Sequence, residues 1–233
     1  PRWIVAMLVI SPVVLIAFIR FERRLTAQGG APLVDFSLFR EPGFAIGIAM
    51  ALVFYMLSSF YLTFSVYLQG GLHLTPLDAG LRTLPFAFGY FASSFASAGI
   101  MQRLGPRALT LGFIIQIIGF STVILSVFGV TPGYIEIALL VAGLGYGIVV
   151  PSVIKAVISG VDQRHAGLAS GMVISTFQIG AALGVAIVGG VFFTVLGSGQ
   201  DLAAHVHAFA IALGCNVALL VLGGVLSLWL PDN

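Results

Sequence analysis

The chain has 233 residues, of which 59% are hydrophobic and only 8% are charged. Soluble domains carry about 25% charged residues, so a chain this apolar must use the lipid bilayer as its solvent. The formal net charge of +2 is small and gives no indication of a nucleic-acid partner. The single cysteine, Cys215, excludes a disulfide framework.

Seven stretches are apolar over about the 20 residues that a membrane-spanning helix needs. They are Trp3–Ile19, Phe44–Leu68, Ala79–Met101, Ala108–Phe128, Tyr134–Ile158, Ala166–Leu196 and His207–Leu230. We therefore predict an all-α integral membrane protein with about seven transmembrane helices. The one long connection, Arg20–Gly43, fits either a short interfacial segment or an ordinary loop. No signal peptide is predicted, and the start at Pro1 suggests a fragment of a longer chain.

Lysine and arginine are distributed unevenly between the two sides of the predicted membrane protein. One side carries eight of them, namely Arg20, Arg23, Arg24, Arg40, Arg103, Arg107, Lys155 and Arg164. The other side carries only Arg2 and Arg82. Because cytoplasmic loops are enriched in lysine and arginine, we predict a multi-pass protein of the cell membrane with a cytoplasmic C-terminus.

Glycine is concentrated between residues 143 and 190, in the fifth and sixth predicted helices. On a helical wheel, small residues on the side of Gln178 are Gly167, Gly171, Ser175, Ala182, Val185 and Gly189. Gly180 and Gly184 lie on the opposite side. Small residues let helix backbones approach closely in a membrane. We therefore predict that the sixth helix is surrounded by protein.

Charged side chains near the helix ends are assigned structural roles. Asp78 and Arg82 are spaced i and i+4, which predicts a local ion pair at the start of the third helix. Glu136 and Lys155 lie near the two ends of the fifth helix, where both side chains can reach the headgroups. None of these charges lies at a helix centre, where an ion would indicate function.

Three segments of the chain carry motifs of one family. The first reads YLQGGLHLTPLDAGLRTLP and the second AGIMQRLGPRALTLG; the third begins GLGYGIVVPSVIKAVISG. Together they resemble the fourteen-helix drug/proton antiporter branch of the major facilitator superfamily. In the second segment, Arg103, Gly105 and Arg107 match three positions of the superfamily's cytoplasmic motif G-x-x-x-D-R-x-G-R-R. Ala98 and Gln102 replace its first glycine and its aspartate.

The resemblance implies that the chain is the C-terminal half of such a transporter. Residues 1–19 would form a linker transmembrane helix and residues 20–43 a cytoplasmic connecting loop. Residues 44–230 would form a six-helix domain of two inverted triplets, 44–128 and 134–230. The N-terminal half would be absent, and with it the membrane-embedded acid usually tied to proton coupling.

The implied function is proton-coupled efflux of small amphipathic or cationic compounds by alternating access. Its partners would be the bilayer, the substrate, protons and the missing N-terminal half, with no cofactor. Two alternatives stay open: a nutrient facilitator or symporter of the same superfamily, and a non-transporting membrane interaction subunit. We expect no enzyme, because no Ser-His-Asp set or H-E-x-x-H motif occurs. We expect no metal site either, because the H-x-H of His205 and His207 supplies only two ligands.

Candidate substrate-binding residues are uncharged polar side chains near the midplane. By resemblance, the first helix of each triplet lines the transport cavity, which selects Tyr55 and Ser59 on the second helix and Tyr146 on the fifth. Gln178 on the sixth helix would face the partner half. The alternative is that serines bond to their own backbone and tyrosines pack between helices. Gln116 and Asn216 lie on the usually peripheral third helices and rank lower.

Conformational candidates lie in the fifth helix and in the motif loop. Pro151 removes a backbone hydrogen bond and predicts a kink. Gly143 and Gly147 precede it, so the helix could bend during alternating access, or these glycines could serve packing alone. Arg103, Gly105 and Arg107 are the motif residues of the loop between the third and fourth helices.

Overall fold

The protein is a helical bundle, as the sequence predicts. A computed structural model describes residues 2–28, 36–129, 133–159, 161 and 166–230. The helices of this part of the chain are α1 Arg2–Ala27, α2 Pro42–Gly71, α3 Pro76–Leu104, α4 Arg107–Val127, α5 Ile135–Ser159, α6 Ala166–Leu196 and α7 Leu202–Ser227. A short 3-10 helix, Phe36–Arg40, precedes α2.

Six of these helices, α2 to α7, are long and apolar enough to cross a membrane. Their observed ends lie within a few residues of the predicted ones, and the all-α integral membrane class is confirmed. The helix α1 exists, and a seventh membrane crossing there stays a prediction. It continues to Ala27, past the predicted end at Ile19. The added residues are mainly charged or polar, and many of them are good helix formers.

The start of α7 differs from the prediction by five residues. The helix begins at Leu202 rather than at His207, because the carboxylate of Asp201 caps it and accepts a hydrogen bond from the Ala204 amide at 3.4 Å. An aspartate at this position satisfies amides that a helix start leaves open.

The helix α2 is irregular along its length. It is α-helical over Pro42–Tyr55 and Ser59–Val66, with a 3-10 turn at Met56–Ser58 between them and a π-helical end at Tyr67–Gly71. Serine and threonine hydroxyls that bond to carbonyls one turn earlier compete with the helix ladder and bend helices. Such bonds occur directly after the 3-10 turn, at Ser59 and Thr63.

The six long helices pack in two layers. The front layer has the order α6, α2, α5, α3, in which each helix packs on the next. The rear layer consists of α7 and α4, which pack on each other and on α2 and α5 respectively. Phenylalanine rings fill the space between the layers: the rings of Phe54 and Phe113 lie 6.0 Å apart, and those of Phe60 and Phe120 lie 4.8 Å apart. This core supports the front layer from one side only.

The two triplets α2–α4 and α5–α7 make equivalent contacts with each other. The first helix of each triplet packs on the second and on the third helix of the other, and the two third helices pack together. Buried positions of α4 recur in α7 exactly one hundred residues later, as Ala108 and Ala208, Phe113 and Leu213, Gln116 and Asn216, and Phe120 and Leu220. This correspondence supports the predicted 3+3 arrangement of the half-bundle.

Glycines of the fifth helix permit its close crossing with α3. A side chain at Gly143 would overlap the carbonyl oxygen of Phe86, and one at Gly147 would overlap the carbonyl oxygen of Tyr90. These carbonyl oxygens belong to the backbone of α3, which cannot move aside as a flexible side chain can. The crossing therefore requires glycine at these two positions. Only the α-carbon surface lets the two backbones come this close.

The sixth helix is enclosed on one side only. Gly184 packs against the backbone of α2 at Met56, and Gly180 packs one turn before it. On the other side Gly167 and Gly171 have nothing within 4 Å of where a side chain would begin. The prediction that protein surrounds α6 therefore holds for its Gly180–Gly184 side within this chain. The side that carries Gln178 is open from Gly167 to Val185, and Gly189 further along it is buried beside Leu62.

Candidate functional site

The middle of the front layer carries an aromatic stack between α2 and α6. The rings of Tyr55 and Phe177 lie parallel, with centroids 3.7 Å apart and an interplanar angle of 14°. Phe54 contacts the Tyr55 ring edge-on at 5.7 Å. Both stacked rings are only partly buried. The pair forms a flat aromatic surface at the open side of the bundle.

The ring of Tyr146 extends this surface across α5 towards α3. It lies 5.0 Å from Phe54 and meets Tyr90 edge-on at 5.3 Å. Phe54 also contacts Tyr55, and Phe86 contacts both Tyr146 and Tyr61. Four of the six tyrosines of the chain therefore gather in one region. We call Tyr55, Tyr61, Tyr90 and Tyr146 the tyrosine face.

Tyrosine and phenylalanine side chains differ in their burial within this region. Phe54 and Phe86, which lie behind the tyrosine face, are almost fully buried, whereas Tyr61 is 48% and Tyr90 39% exposed. Phe86 contacts both Tyr61 and Tyr146 edge-on. Buried tyrosines need a partner for the hydroxyl group, and exposed ones can keep it available. The region presents hydroxyl groups at the front over a hydrocarbon backing.

Sequence reasoning selected Tyr55 and Tyr146 but not Tyr61 and Tyr90. Tyr90 was missed because it lies on α3, which the resemblance did not assign to the cavity wall. All four tyrosines lie about ten or more residues from the ends of their helices. The occurrence of a tyrosine in the centre of a strongly apolar helix therefore identifies Tyr61 and Tyr90 from the sequence.

Gln178 lies on the open side of α6, directly after the stacked Phe177. It is exposed, as are Gly171, Ser175 and Ala182 along the same side of the helix. This strip borders the Tyr55–Phe177 stack. Gln178 therefore follows directly on the residue whose ring stacks on Tyr55.

Ser59 is the predicted site residue that the structure does not bring to this face. It is fully buried and turned towards the rear layer, where its hydroxyl lies 3.0 Å from the Asn216 side-chain oxygen on α7 and 3.0 Å from the Met56 carbonyl oxygen. The bond to the Met56 carbonyl is one within its own helix, which is the alternative role given above for serines. On the opposite side of α2, Ser58 donates to the Ala181 carbonyl of α6 at 3.2 Å.

Gln116 and Asn216 occupy equivalent central positions of the two rear helices. Both are fully buried, in the rear layer and away from the tyrosine face. Among the described residues, neither side-chain atom of the Gln116 amide has a hydrogen-bond partner, and the Asn216 nitrogen has none. Gly145 of α5 packs directly on the Gln116 backbone and offers no side chain to it.

The motif loop between α3 and α4 is a tight turn. Gly105 ends α3 with φ of 55° and ψ of −134°, and its amide donates to the Met101 carbonyl at 3.0 Å. Only glycine adopts this backbone conformation readily. Arg103 lies in the last turn of α3, and Arg107 begins α4. Both arginines are exposed. The structure assigns Gly105 a role in the turn, and a conformational role of the two motif arginines stays a prediction.

Helix α5 continues through Pro151 without interruption to Ser159. Ser152 follows the proline, and its hydroxyl donates to the Ile148 carbonyl at 2.7 Å. The predicted bending of this helix during transport stays a prediction. Gly143 and Gly147, which were grouped with Pro151, have the packing role described above.

Charged groups lie near the ends of the helices, away from the tyrosine face. Arg82 pairs with Glu136 at the starts of α3 and α5, rather than with Asp78 as predicted. Asp78 instead accepts a hydrogen bond from Thr75, whose hydroxyl caps α3. An aspartate held in a helix cap is turned back along its own first turn. The ion pair joins the two triplets.

Comparison with known proteins identifies relatives over nearly the whole chain. A model of the Major Facilitator Superfamily matches residues 1–185. The chain is 31% identical to the "Probable actinorhodin transporter" of Streptomyces coelicolor over 204 residues, which are 85% of this chain and 35% of the relative. It is 29% identical to "Puromycin resistance protein pur8" of Streptomyces alboniger, over 99% of this chain and 48% of the relative.

A third relative is the "Drug efflux pump JefA" of Mycobacterium tuberculosis, with 28% identity over 84% of this chain and 38% of the relative. The chain therefore spans about a third to a half of the length of these curated relatives.

Proposed function

Because the chain belongs to the major facilitator superfamily, we propose that it forms the C-terminal half of a transporter that exports small amphipathic compounds in exchange for protons. Relatives with the printed descriptions of actinorhodin transporter, puromycin resistance protein and drug efflux pump support efflux. Residues 1–19 serve as a linker membrane helix in this proposal, and 44–230 as the six-helix domain. The protein has no enzymatic role.

The observation that carries the proposal is the open, uncharged tyrosine face at the centre of the front layer. Tyr55, Tyr146 and Gln178 contact the substrate, and the N-terminal half closes the site from the other side. Rocking of one half against the other then exposes the site to each side of the membrane in turn. The uncharged strip of small residues along α6 lets the two halves slide.

The side of the membrane that carries most lysines and arginines is cytoplasmic in this proposal. The C-terminus is then cytoplasmic, and the Arg82–Glu136 pair lies at the outer surface. The protein resides in the cell membrane. The proton-carrying acid lies outside this chain, since no aspartate or glutamate occurs within the central turns of α2 to α7.

Cysteine accessibility in the complete protein tests the site. Tyr55→Cys and Gln178→Cys are introduced separately after Cys215→Ala, and a water-soluble thiol reagent is applied with and without substrate. We expect both cysteines to react and to be protected by substrate. The control Ile118→Cys, exposed on α4 of the rear layer, faces lipid and should not react. Inaccessibility of Tyr55→Cys and Gln178→Cys in every state would rule out this site.

Coupling is tested separately by efflux from cells in which the proton gradient is collapsed. Loss of efflux supports the antiporter. Flux that persists without the gradient identifies a facilitator, and accumulation driven by the gradient identifies a symporter. Absence of any flux, with the complete protein folded in the membrane, identifies a non-transporting interaction subunit.

A further inference from the structure

The tyrosine face differs from a general aromatic surface because its front consists of phenols. Each phenol both donates and accepts hydrogen bonds. Tyr61 and Tyr90 are exposed, and no hydrogen bond from either hydroxyl is present among the described residues. Those two hydroxyls are therefore free to bind a ligand. The buried rings behind them, Phe54 and Phe86, bring hydrocarbon surface but no polar group.

The same region lacks charge. Helices α2 and α6 contain no charged residue. The charges nearest along the chain are Arg82, eight residues before Tyr90, Lys155, nine residues after Tyr146, and Glu136, ten residues before Tyr146. At 1.5 Å per residue these are about 12, 14 and 15 Å away along the helix axis. Glu136 is the one anion among them, and it is paired with Arg82. A permanent cation in this site would lack an anionic partner from this half of the protein, which is costly in a membrane.

The stacked pair also restricts the shape of a ligand that the tyrosine face can bind. Tyr55 and Phe177 present parallel rings at the edge of the face, and Tyr90 and Tyr146 stand edge-on further along. Aromatic ligands prefer offset stacking or edge-to-face contacts with such rings. A flat ring system can therefore lie along the face while its polar substituents reach the phenols.

We infer that the tyrosine face selects planar aromatic substrates with hydroxyl or carbonyl substituents, in preference to permanently charged cations of similar size. The inference rests on the proposed function and specifies the substrate class of the same site. Phenol hydroxyls bind the oxygen substituents, and the aromatic rings bind the flat body. Aromatic rings alone would also attract a cation. The preference for oxygen-substituted aromatic compounds over cations therefore depends on the phenol hydroxyl groups.

The test compares two planar probes in the complete protein: neutral 1,8-dihydroxyanthraquinone and the cation ethidium. Tyr90→Phe and Tyr146→Phe remove one hydroxyl each and keep the ring. We expect each to weaken anthraquinone binding about three- to tenfold, the range for one hydrogen bond, and to leave ethidium unchanged. Tyr134→Phe, at an exposed tyrosine before α5 and outside the face, should alter neither. An unchanged unfolding temperature shows that each variant is folded.

Three results overturn the inference. If both probes are exported and neither phenylalanine variant changes anthraquinone binding, the substrate class is wrong and the transport function stands. The same conclusion follows if the wild type binds ethidium more tightly than the anthraquinone. If the folded protein exports neither probe nor any other compound, the proposed function fails, and the inference fails with it. Should Tyr146→Phe reduce folding, the more exposed Tyr90→Phe and Tyr61→Phe give the answer.

Discussion

Ser59, Gln116 and Asn216 are buried polar side chains in the centres of three membrane-spanning helices. Ser59 and Asn216 share a hydrogen bond of 3.0 Å, whereas the Gln116 amide has no partner among the described residues. A buried polar group without a partner costs more than a hydrogen bond gains. The equivalent positions Gln116 and Asn216 should therefore respond differently to substitution.

Substituting Ser59→Ala removes the hydroxyl that bonds to Asn216. We expect the free energy of unfolding to fall by about 1–3 kcal/mol, because the amide is left buried without any partner. Thermal unfolding of the complete protein in detergent measures the change. The control Thr194→Ala removes an exposed hydroxyl that bonds only within its own helix. Equal effects of the two substitutions would contradict the importance of the inter-helix bond.

Substituting Gln116→Leu replaces an unpartnered amide by a hydrocarbon of similar size. We expect stability to stay the same or to rise by about 1 kcal/mol, since no hydrogen bond is lost. The matched substitution Asn216→Leu breaks the bond to Ser59 and should lower stability. Unfolding temperatures of the two variants, measured side by side, check this. A clear loss for Gln116→Leu would show that the amide has a partner.

At the scale of elements, the packing of the front-layer helices depends on the glycines at which their backbones come into contact. Helices α3 and α5 are in contact through Gly143 and Gly147, and α2 and α6 through Gly180 and Gly184. In a membrane, lipid is as apolar as the helix surface, so close van der Waals packing holds helices together. These contacts position Tyr90 against Tyr146 and Tyr55 against Phe177.

Substituting Gly143→Ala places a methyl group on the backbone of α3 at Phe86. We expect a loss of about 1–3 kcal/mol, the usual cost of overpacking. The control is Gly190→Ala, where nothing lies within 4 Å, and where alanine should raise helix stability by up to about 1 kcal/mol. Thermal unfolding measures both. Stabilisation by Gly143→Ala would mean that the two helices do not cross closely.

Helical wheels predicted the faces of regular helices better than those of α2. Tyr55 and Ser59 are four residues apart, which places them on one face of a regular helix. The 3-10 turn at Met56–Ser58 instead advances the chain by about 120° per residue rather than 100°. The intervening turn contributes to separating Tyr55 at the front from Ser59 at the rear. Sequence hydropathy still gave the bounds of α2 to α6 within three residues at each end, because a run of apolar residues decides where a helix can enter lipid.

At the scale of the whole molecule, the six long helices form two layers, and the front layer has one open face. That face includes the tyrosine face and the Gln178 side of α6, and both lack charge. The relatives are two to three times as long as the matched region. A second half of similar size, seated on the open face, would cover the strip of small residues on α6.

Substituting Gly171→Leu tests this placement in the complete protein. Nothing lies within 4 Å of a side chain at this position, so the half-bundle itself should keep its unfolding temperature. We expect transport in proteoliposomes to fall severalfold, because leucine wedges the contact with the other half. The control Gly214→Leu, on α7 of the rear layer, has equal space around it and should leave transport unchanged. Full transport by Gly171→Leu would place the second half elsewhere.

The sequence by itself determined that this chain lies in a membrane, where the helices α2 to α6 begin and end to within three residues, and which family it resembles, because hydropathy and short motifs are local properties. Only the tertiary structure decided which side chains meet. It paired Arg82 with Glu136, buried Ser59 against Asn216, and gathered Tyr61 and Tyr90 with Tyr55 and Tyr146 around Phe54 and Phe86. Such pairings depend on helix crossings fixed by glycine contacts and on local irregularities of α2. Both arise between residues far apart in the chain.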